Sequence, residues 1–435
     1  MNVRIANNDG PEFDVIIVGG GPAGASAAIH LSRDGARVAL VEQKKFPREK
    51  LCGEFISPEC LEHFARLGVM DSMNGAGGTS LRETVFYAAS GRAVAVPSEW
   101  FARSASSSAL GLSRAEMDAR LLARAREVGA TVFEEAHAAG VIFDGGRVRG
   151  VRVRAQGAEL ALRASLTVDA TGRARAVARR VERATREDQR VESASSIDDE
   201  VDVASNGSRR ELVAFKAHLS GARVAAGACE IYFYKGGYGG LSGVERGLSN
   251  LCFIVAARDV RSRGSDAARV MREVVASNRR AAETLQGARV ESAWLAVALE
   301  GFGRFRVAPA QGLLSVGDAA SFIDPFTGSG MLMALESGEL AATTVARHLA
   351  QLRAGGPPDD ARNDSFDALA REYRELYRAR FGARLRVCSY LRRAAFAPRS
   401  LVELGVAALG ASALARRTLA RATRGGPAST RTSSE

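Results

Sequence analysis

The stretch FDVIIVGGGPAGASAAIHLSRDG, residues 13–35, decides the fold. Residues 13–18 are a mostly apolar, β-branched run, which is typical of a buried parallel strand. Glycines follow, and the small and apolar residues after them predict a helix that ends at Gly35. ARVALVE, residues 36–42, predicts a second strand. A strand, a helix and a strand within about 30 residues are the repeating unit of a doubly wound α/β sheet.

The glycine-rich turn between strand and helix is the first candidate site. Its G-x-G-x-x-G pattern comprises Gly19, Gly21, Pro22, Ala23 and Gly24. Glycines at these positions allow a tight turn, a close approach of backbone to phosphate and close helix packing, while the helix N-terminus favours negative charge. Glu42 ends the next strand, where a carboxylate can accept the hydroxyls of a ribose. The pattern therefore predicts a site for the adenosine and pyrophosphate of a dinucleotide.

A second glycine-rich segment, SVGDAASFIDPFTGSGM, lies far downstream at residues 315–331. It predicts a buried strand that ends in Gly-Asp, then a loop, then a long helix that starts near Gly330. The Asp318 carboxylate can bind a polyol, and the helix N-terminus can stabilise negative charge on a ring carbonyl. The residues expected to bind a cofactor here are Gly317, Asp318, Pro325, Gly328, Ser329 and Gly330.

A third segment, Asp169-Ala170-Thr171-Gly172-Arg173, follows another predicted strand. On its own, this segment is equally compatible with an ordinary turn containing aspartate and glycine. Together with the other two segments it becomes informative, because all three end predicted strands.

In this order and spacing the three segments resemble the flavoprotein family that includes p-hydroxybenzoate hydroxylase, geranylgeranyl reductases and flavin-dependent halogenases, over roughly residues 13–350. The resemblance implies FAD, with its adenosine and pyrophosphate at the first glycine turn, its ribityl chain on Asp318 and its flavin ring near Pro325 and Gly328–Gly330. It also implies NAD(P)H as the electron donor. The further cofactor contacts that it implies are Arg48, Arg114, Asp169 and Gly172. The sequence contains no second G-x-G-x-x-G, so a separate NAD(P)H domain is not expected.

The stretch KKFPREKLCGEFISPE, residues 44–59, indicates the branch of that family. Phe46-Pro47-Arg48 followed by Cys52-Gly53 resembles the geranylgeranyl-reductase branch, which implies that Cys52 lies near the flavin. A thiol close to Arg48 and Lys50 can act as a thiolate of lowered pKa, which makes Cys52 the candidate catalytic residue. The alternative is that Cys52 is a small, soft residue packed beside the ring. Glu54, where the branch pattern has a further glycine, is a departure from it.

The halogenase branch fits the sequence poorly. No lysine occurs between Lys50 and Lys216, the region where that branch places its catalytic lysine. The Trp-x-Trp-x-Ile-Pro signature is also absent, since the only tryptophans are Trp100 and Trp294.

The resemblance leaves three functions open. The first is hydride transfer from reduced flavin to a double bond of an apolar, isoprenoid-like or polyketide-like molecule. The second is hydroxylation of an aromatic or polyketide-derived substrate by a flavin monooxygenase, and the third is a non-catalytic flavin- or lipid-binding protein. Residues 229–245, CEIYFYKGGYGGLSGVE, resemble the substrate sheet of the reductases. We expect Tyr232, Tyr234 and Tyr238 to line the substrate pocket; the alternative is that these aromatic residues pack against a helix.

The predicted architecture is mixed α/β: a Rossmann-type FAD-binding domain interleaved with an antiparallel-sheet substrate domain, and a helical C-terminus. Three separate segments are predicted to form the FAD-binding domain, namely residues 1–83, residues 113–180 with a β-meander, and residues 300–352. The other predicted segments are a substrate-domain hairpin (84–112), a substrate domain (181–299) with a polar loop (181–210), a helical region (353–421) and a disordered tail (422–435).

Composition narrows the classes of partner. The net charge of +11 comes from arginines scattered along the chain without interleaved aromatics, so we expect no nucleic-acid partner. Five cysteines without a Cys-x-x-Cys pair argue against a zinc site or a disulfide framework, and we expect a cytoplasmic protein. Residues 400–424 combine small apolar residues with clustered arginines, which is compatible with peripheral membrane contact or with docking on the core. The sequence leaves the oligomeric state open.

Overall fold

A computed structural model describes residues 13–101, 108–192, 211–299, 302–354 and 361–424. The strands are, in chain order, β1 (Phe13–Val18), β2 (Val38–Val41), β3 (Phe55–Ile56), β4 (Thr79–Leu81), β5 (Glu83–Tyr87), β6 (Ala93–Pro97), β7 (Ala109–Gly111), β8 (Thr131–Phe133), β9 (Ala136–Asp144), β10 (Arg147–Ala155), β11 (Ala158–Asp169), β12 (Leu212–Ser220), β13 (Ala228–Tyr234), β14 (Gly237–Gly243), β15 (Ser249–Ala256), β16 (Arg289–Val290), β17 (Leu295–Leu299), β18 (Gly303–Arg304), β19 (Leu313–Ser315) and β20 (Ser321–Phe322).

The helices are α1 (Pro22–Arg33), α2 (Pro58–Leu67), α3 (Met70–Asn74), α4 (Arg114–Glu127), α5 (Ala176–Glu192), α6 (Ala257–Arg261), α7 (Ala267–Glu273), α8 (Arg279–Leu285), α9 (Gly330–Ala354), α10 (Ala361–Ala395), α11 (Arg399–Ala411) and α12 (Ala413–Ala422). None of the helices in the described ranges is both long and apolar enough to cross a bilayer.

The first large sheet carries the nucleotide-binding start that the sequence predicts. Its order is β8-β2-β1-β11-β10-β9, with β19 on the end of β11. The contacts of β1 with β2 and β11 are parallel, as are those of β2 with β8 and of β11 with β19, whereas β9, β10 and β11 form an antiparallel meander. Every residue of β1 is buried, as expected for a strand that is covered on both faces.

The second large sheet has the order β16-β12-β15-β14-β13-β5-β6, with β17 also paired to β12. All its contacts are antiparallel except the one between β13 and β5. Helices α6 to α8 cover one face. Residues of α10 and α11 pack against the opposite face. The mixed α/β class with two interleaved sheets and a helical C-terminus is confirmed.

The polar loop predicted from residue 181 is wrong over its first twelve residues. Helix α5 continues through this region to Glu192. Val177, Ala178 and Val181 are buried in the core of the first sheet, and this anchors an otherwise polar helix. Residues 193–210, the rest of that prediction, lie outside the described residues, as does the predicted disordered tail from residue 425 onward.

Candidate active site

A cavity of about 630 Å³ is lined by residues of both large sheets and of the C-terminal helices. One limb starts at the glycine turn after β1 and is lined mainly by polar and charged groups. The other limb is apolar and lies between the second large sheet and helices α10 to α12; its wall includes Phe86, Ile231, Phe233, Ile254, Val402 and Val406. We call these the polar limb and the apolar limb.

The glycine turn after β1 lies at the bottom of the polar limb. Two of its glycines are packed so closely against neighbouring backbone that a side chain would not fit. Gly19 has a φ of +110°, and a Cβ there would lie 2.3 Å from the carbonyl oxygen of Ala170. A Cβ on Gly24 would lie 1.9 Å from the carbonyl oxygen of Gly19, so Gly24 serves packing and does not reach the cavity wall. Gly21, Pro22 and Ala23 are on the wall, at the N-terminus of α1.

Glu42 is held beside this turn. Its Oε2 accepts a hydrogen bond from the backbone N–H of Gly20 at 2.9 Å, and its Oε1 accepts one from the N–H of Lys44 at 2.9 Å. The carboxylate is buried and lies on the cavity wall at the end of β2. It is therefore pre-oriented to accept further hydrogen bonds from a ligand.

Two guanidinium groups flank Gly21. Arg48 and Arg114 both bind the buried carboxylate of Asp118, with nitrogen–oxygen distances of 3.0 and 2.7 Å. A Cβ built on Gly21 would be 3.8 Å from an Nη2 atom of each. Asp118 balances one of the two charges, and the Glu42 carboxylate lies 3.8 Å from the guanidinium group of Arg48.

Asp318 differs from the other acids of the polar limb. Its carboxylate lies on the cavity wall and accepts no hydrogen bond from any described residue. Burial raises the pKa of Asp318, while Arg173, Arg114 and Lys50 act in the opposite direction. Burial and the nearby charge of Arg48 lower the pKa of Lys50. An acceptor without a protein donor, surrounded by cations, suits a ligand that brings its own hydroxyl groups.

The expectation that Asp169 contacts the cofactor directly is wrong. Its side chain is fully buried behind the wall, where it accepts hydrogen bonds from the Thr171 N–H and hydroxyl and from the N–H of Ala178. Asp169 thus shapes the turn that brings Gly172 to the wall.

In the segment after β19, most of the predicted residues reach the cavity. The residues on the wall are Gly317, Asp318, Pro325, Gly328 and Gly330. Ser329 does not line it: its hydroxyl is buried and donates to the carbonyl oxygens of Thr327 and Thr423, each at 3.3 Å.

The pocket prediction for Tyr232 and Tyr234 is wrong. Both side chains point to the other face of the second sheet, where they pack with helices α6 to α8. The Tyr232 hydroxyl donates to Glu230 at 2.7 Å, and the Tyr234 hydroxyl donates to the Ile254 carbonyl at 3.0 Å. Tyr238 does line the cavity, and its hydroxyl donates to Asp324.

Cys52 lies on the wall in a segment that is anchored to the second sheet. Its Sγ accepts a hydrogen bond from the N–H of Glu54 at 3.4 Å, and its carbonyl accepts one from the Asn250 side chain at 3.1 Å. The fully buried Glu54 carboxylate contacts the Lys216 ammonium, the His218 ring at 2.7 Å and the N–H of Arg114 at 2.9 Å. These charged contacts fix the position of Cys52.

Sequence reasoning missed this anchor, although a signal for it was present. Lys216 and His218 alternate along β12 on the same face as Ala214, which lines the cavity, and a lysine in an otherwise buried strand needs a charged partner. The exposed Glu49 also binds this ammonium. Glu49, Glu54 and His218 are close enough together to ligate a metal ion, but the Lys216 ammonium already contacts both carboxylates and balances one of their two charges.

Comparisons with known proteins show which family the chain belongs to. A family model described as FAD binding domain matches residues 12–361. Digeranylgeranylglycerophospholipid reductase 2 of Methanopyrus kandleri is 26% identical over 375 residues, which cover 85% of this chain and 83% of that protein.

Solved structures are similar along most of the chain. A geranylgeranyl bacteriochlorophyll reductase-like protein from Thermoplasma acidophilum superposes with a TM-score of 0.73 at 19% identity, covering 95% of this chain and 96% of that one. At this identity the likeness concerns the fold. A myxobacterial chondrochloren halogenase superposes with a TM-score of 0.66 at 25% identity, covering 84% of this chain and 80% of its own.

Proposed function

The chain belongs to the FAD binding domain family of oxidoreductases, and from that premise we propose that it uses FAD to reduce a carbon–carbon double bond in a largely apolar, isoprenoid-like or polyketide-like molecule. The observation that carries this proposal is the apolar limb, which is continuous with the polar limb in a single cavity. The residues that line the apolar limb support an apolar substrate, and the family supports the electron-transfer chemistry.

The residues of the polar limb fit FAD. Gly21 and the N-terminus of α1, with Arg48 and Arg114 beside them, would hold the pyrophosphate. Glu42 would accept the ribose hydroxyls, and the unpartnered carboxylate of Asp318 would accept those of the ribityl chain. Bound FAD, once reduced, supplies the hydride; the protein positions the partners and excludes water.

The apolar limb would hold the substrate next to the loop of Pro325. Aromatic and aliphatic side chains of β5, β13, β15 and α11 form its wall, and they offer dispersion contacts and exclude water. A polyprenyl or similar chain gains free energy from this burial in proportion to its apolar surface.

Reduction of a double bond also needs a proton, and we place its donor at the Tyr238 hydroxyl. This hydroxyl is hydrogen-bonded to Asp324 on the wall, beside Pro325 and Phe326. Burial and the neighbouring Asp324 raise the pKa of Tyr238, so the hydroxyl stays protonated at neutral pH. Tyr238→Phe should keep the flavin spectrum but slow turnover, and an unchanged rate would exclude this role.

The test uses the full chain reconstituted with FAD under anaerobic conditions. NAD(P)H is the proposed electron donor, and a geranylgeranyl-chain glycerophospholipid is the probe substrate. We expect flavin reduction, followed by mass gains of two hydrogens per reduced bond. Product that forms only when oxygen is consumed would show a monooxygenase instead. Tight FAD binding without turnover of any apolar alkene would show a non-catalytic binding protein.

A further inference from the structure

Helices α11 and α12, joined at Ser412, have two faces with different surroundings; we call them the C-terminal helix pair. On the inner face, Val402, Val406 and Leu409 of α11 and Leu419 of α12 line the apolar limb. On the outer side, Leu404 is 65% exposed and Leu414 is 77% exposed, and neither lines the cavity. Leu401, which is 57% exposed and also lines the cavity, lies where the two faces meet.

The charge of this region is one-sided. Residues 389–424 contain seven arginines and one glutamate, so these 36 residues carry +6 of the net +11 of the chain. Three of the arginines are paired with acids: Arg392 with Asp324, Arg424 with Glu59, and the exposed Arg399 with Glu403 at 3.9 Å. The exposed arginines are Arg393, Arg399, Arg417 and Arg421. The acid, Glu403, accepts hydrogen bonds from the backbone N–H and hydroxyl of Ser90.

We propose that the outer face of the C-terminal helix pair is a docking surface for an anionic lipid bilayer. Exposed leucines interspersed with arginines are the combination by which helices lie in a bilayer interface, with apolar side chains among the acyl chains and cations among the headgroups. The excess of positive charge in residues 389–424, with Arg417 and Arg421 exposed on α12, favours an acidic membrane surface over a neutral one.

If the proposed function is correct, the position of the helix pair links membrane docking to substrate entry. The same two helices form part of the wall of the apolar limb, so a bilayer on their outer face would lie one helix thickness from the cavity. A lipid-like substrate could then pass from the bilayer past Leu401 without crossing water.

The test measures co-sedimentation of the FAD-reconstituted full chain with vesicles. One set contains phosphatidylcholine alone, and the other contains phosphatidylglycerol mixed with phosphatidylcholine. We expect binding to the anionic vesicles only, weakened by added salt. The double variants Leu404→Ser/Leu414→Ser and Arg417→Gln/Arg421→Gln should each lower the partition coefficient by about tenfold.

A matched control lies at the opposite edge of the second large sheet. Helix α11 packs on β6, whereas β16 is the far edge strand and carries the exposed Arg289 and Val290. Arg289→Gln/Val290→Ser removes the same kinds of side chain and should leave vesicle binding within about twofold of wild type, because this edge is not the proposed docking surface. Flavin content shows that each variant is folded.

Three results would overturn docking: no binding to anionic vesicles, equal binding to both vesicle types, or an equal loss in the control variant. A change from dimer to monomer in the leucine variant, without vesicle binding by wild type, would assign the surface to a second copy of the chain. The proposed function can fail separately. If the protein binds anionic vesicles but reduces no alkene, the docking proposal stands and the proposed function does not.

Discussion

At the residue scale, the acids around the cavity differ in what already satisfies them. Asp118 is neutralised by two arginines, and Asp169 accepts two hydrogen bonds from Thr171 and one from the N–H of Ala178 in α5. Glu42 is held by two backbone N–H groups but faces the cavity. Only Asp318, among these four, has no donor in the described ranges of the chain. Asp318 is therefore the acid that is free to accept hydrogen bonds from a ligand, and its role can be tested with a single substitution.

Asp318→Asn should weaken FAD binding by about ten- to hundredfold, since hydrogen bonds to a charged acceptor contribute roughly 1.5–3 kcal/mol. Titration of the apoprotein with FAD, followed by the quenching of flavin fluorescence, measures this change. Asp71→Asn, an exposed acid on α3, is the control and should bind FAD like wild type. Equal affinities for the Asp318 variant and wild type would remove this residue from the cofactor site.

Cys52→Ser separates the two interpretations of the thiol. The serine hydroxyl can still accept the hydrogen bond from Glu54, and the anchor through Lys216 and His218 is unchanged. If Cys52 only packs beside the ring, FAD affinity and anaerobic turnover should both persist. A loss of turnover at unchanged FAD affinity would instead assign thiol chemistry to this position.

Tyr232 and Tyr234 show why the sequence alone could not identify the residues that line the substrate pocket. Alternation along β13 correctly predicts that Tyr232 and Tyr234 share a face. Both faces of this sheet are covered, one by helices α6 to α8 and the other by the cavity and the C-terminal helices, so the pattern cannot select the cavity face. Phe233, the residue between them, is the one on the wall.

At the element scale, α1 and α9 bring the two glycine-rich segments together. The Ser26 hydroxyl on α1 donates to the Leu335 carbonyl of α9 at 3.0 Å. Gly338 allows this approach, since a Cβ there would lie 2.3 Å from the carbonyl oxygen of Ala23. Both helices begin at the cavity, so their packing sets the distance between the pyrophosphate and flavin-ring positions.

Gly338→Ala should lower the free energy of unfolding by about 1–3 kcal/mol, because the added methyl group forces the two helices apart. Urea unfolding measures this change, and FAD affinity should fall with it. Gly382→Ala on α10 is the matched control: the nearest atoms to its Cβ are side-chain atoms 3.9 Å away. That variant should gain about 0.5–1 kcal/mol. Equal effects of the two substitutions would contradict close α1–α9 packing.

Asp14, on β1, ties the sheet to the end of α9. Its carboxylate accepts hydrogen bonds from the N–H and side chain of Arg37 and from Arg353. Burial alone would raise the pKa of Asp14, but these hydrogen bonds outweigh it and lower the pKa from 3.8 to about 2. A lowered pKa means that the stabilisation is complete above pH 3.8 and is lost as the pH falls through about 2.

Asp14→Asn should therefore lower the free energy of unfolding near neutral pH by about 1–2 kcal/mol, a value reduced because both arginines are partly exposed and screened. The difference from wild type should shrink toward pH 2. Urea unfolding of both proteins across this range tests the prediction, with the exposed Asp34→Asn as control. A difference that does not depend on pH would show that the ion pairs are not its cause.

Helix α5 is an element that amino-acid composition failed to predict. Its sequence is polar enough to predict a loop, yet Val177, Ala178 and Val181 are spaced to share one helical face and are buried. The N–H of Ala178 is also satisfied by Asp169. Three apolar side chains and one buried acceptor were enough to fix the start of a helix that the average composition concealed.

At the scale of the whole molecule, the cavity joins segments that are far apart in the sequence. Motifs at strand ends predicted the FAD family and most of the polar limb, because backbone and charge requirements at a phosphate are local. The apolar limb was not predictable in the same way, because it depends on which sheet face the C-terminal helices cover, and long-range packing sets this. The anchor of Glu54 left a signal in Lys216 and His218 on β12, but the sequence does not show that residue 54 reaches that strand.

The central claim is that one cavity holds FAD and an apolar alkene together. Its most direct test is anaerobic single turnover: the FAD-reconstituted protein is reduced, freed of excess reductant, and mixed with a geranylgeranyl-chain lipid without oxygen. We predict that the flavin is reoxidised and that one double bond is saturated per flavin. A flavin that stays reduced with this lipid and with other apolar alkenes until oxygen is admitted would contradict the account.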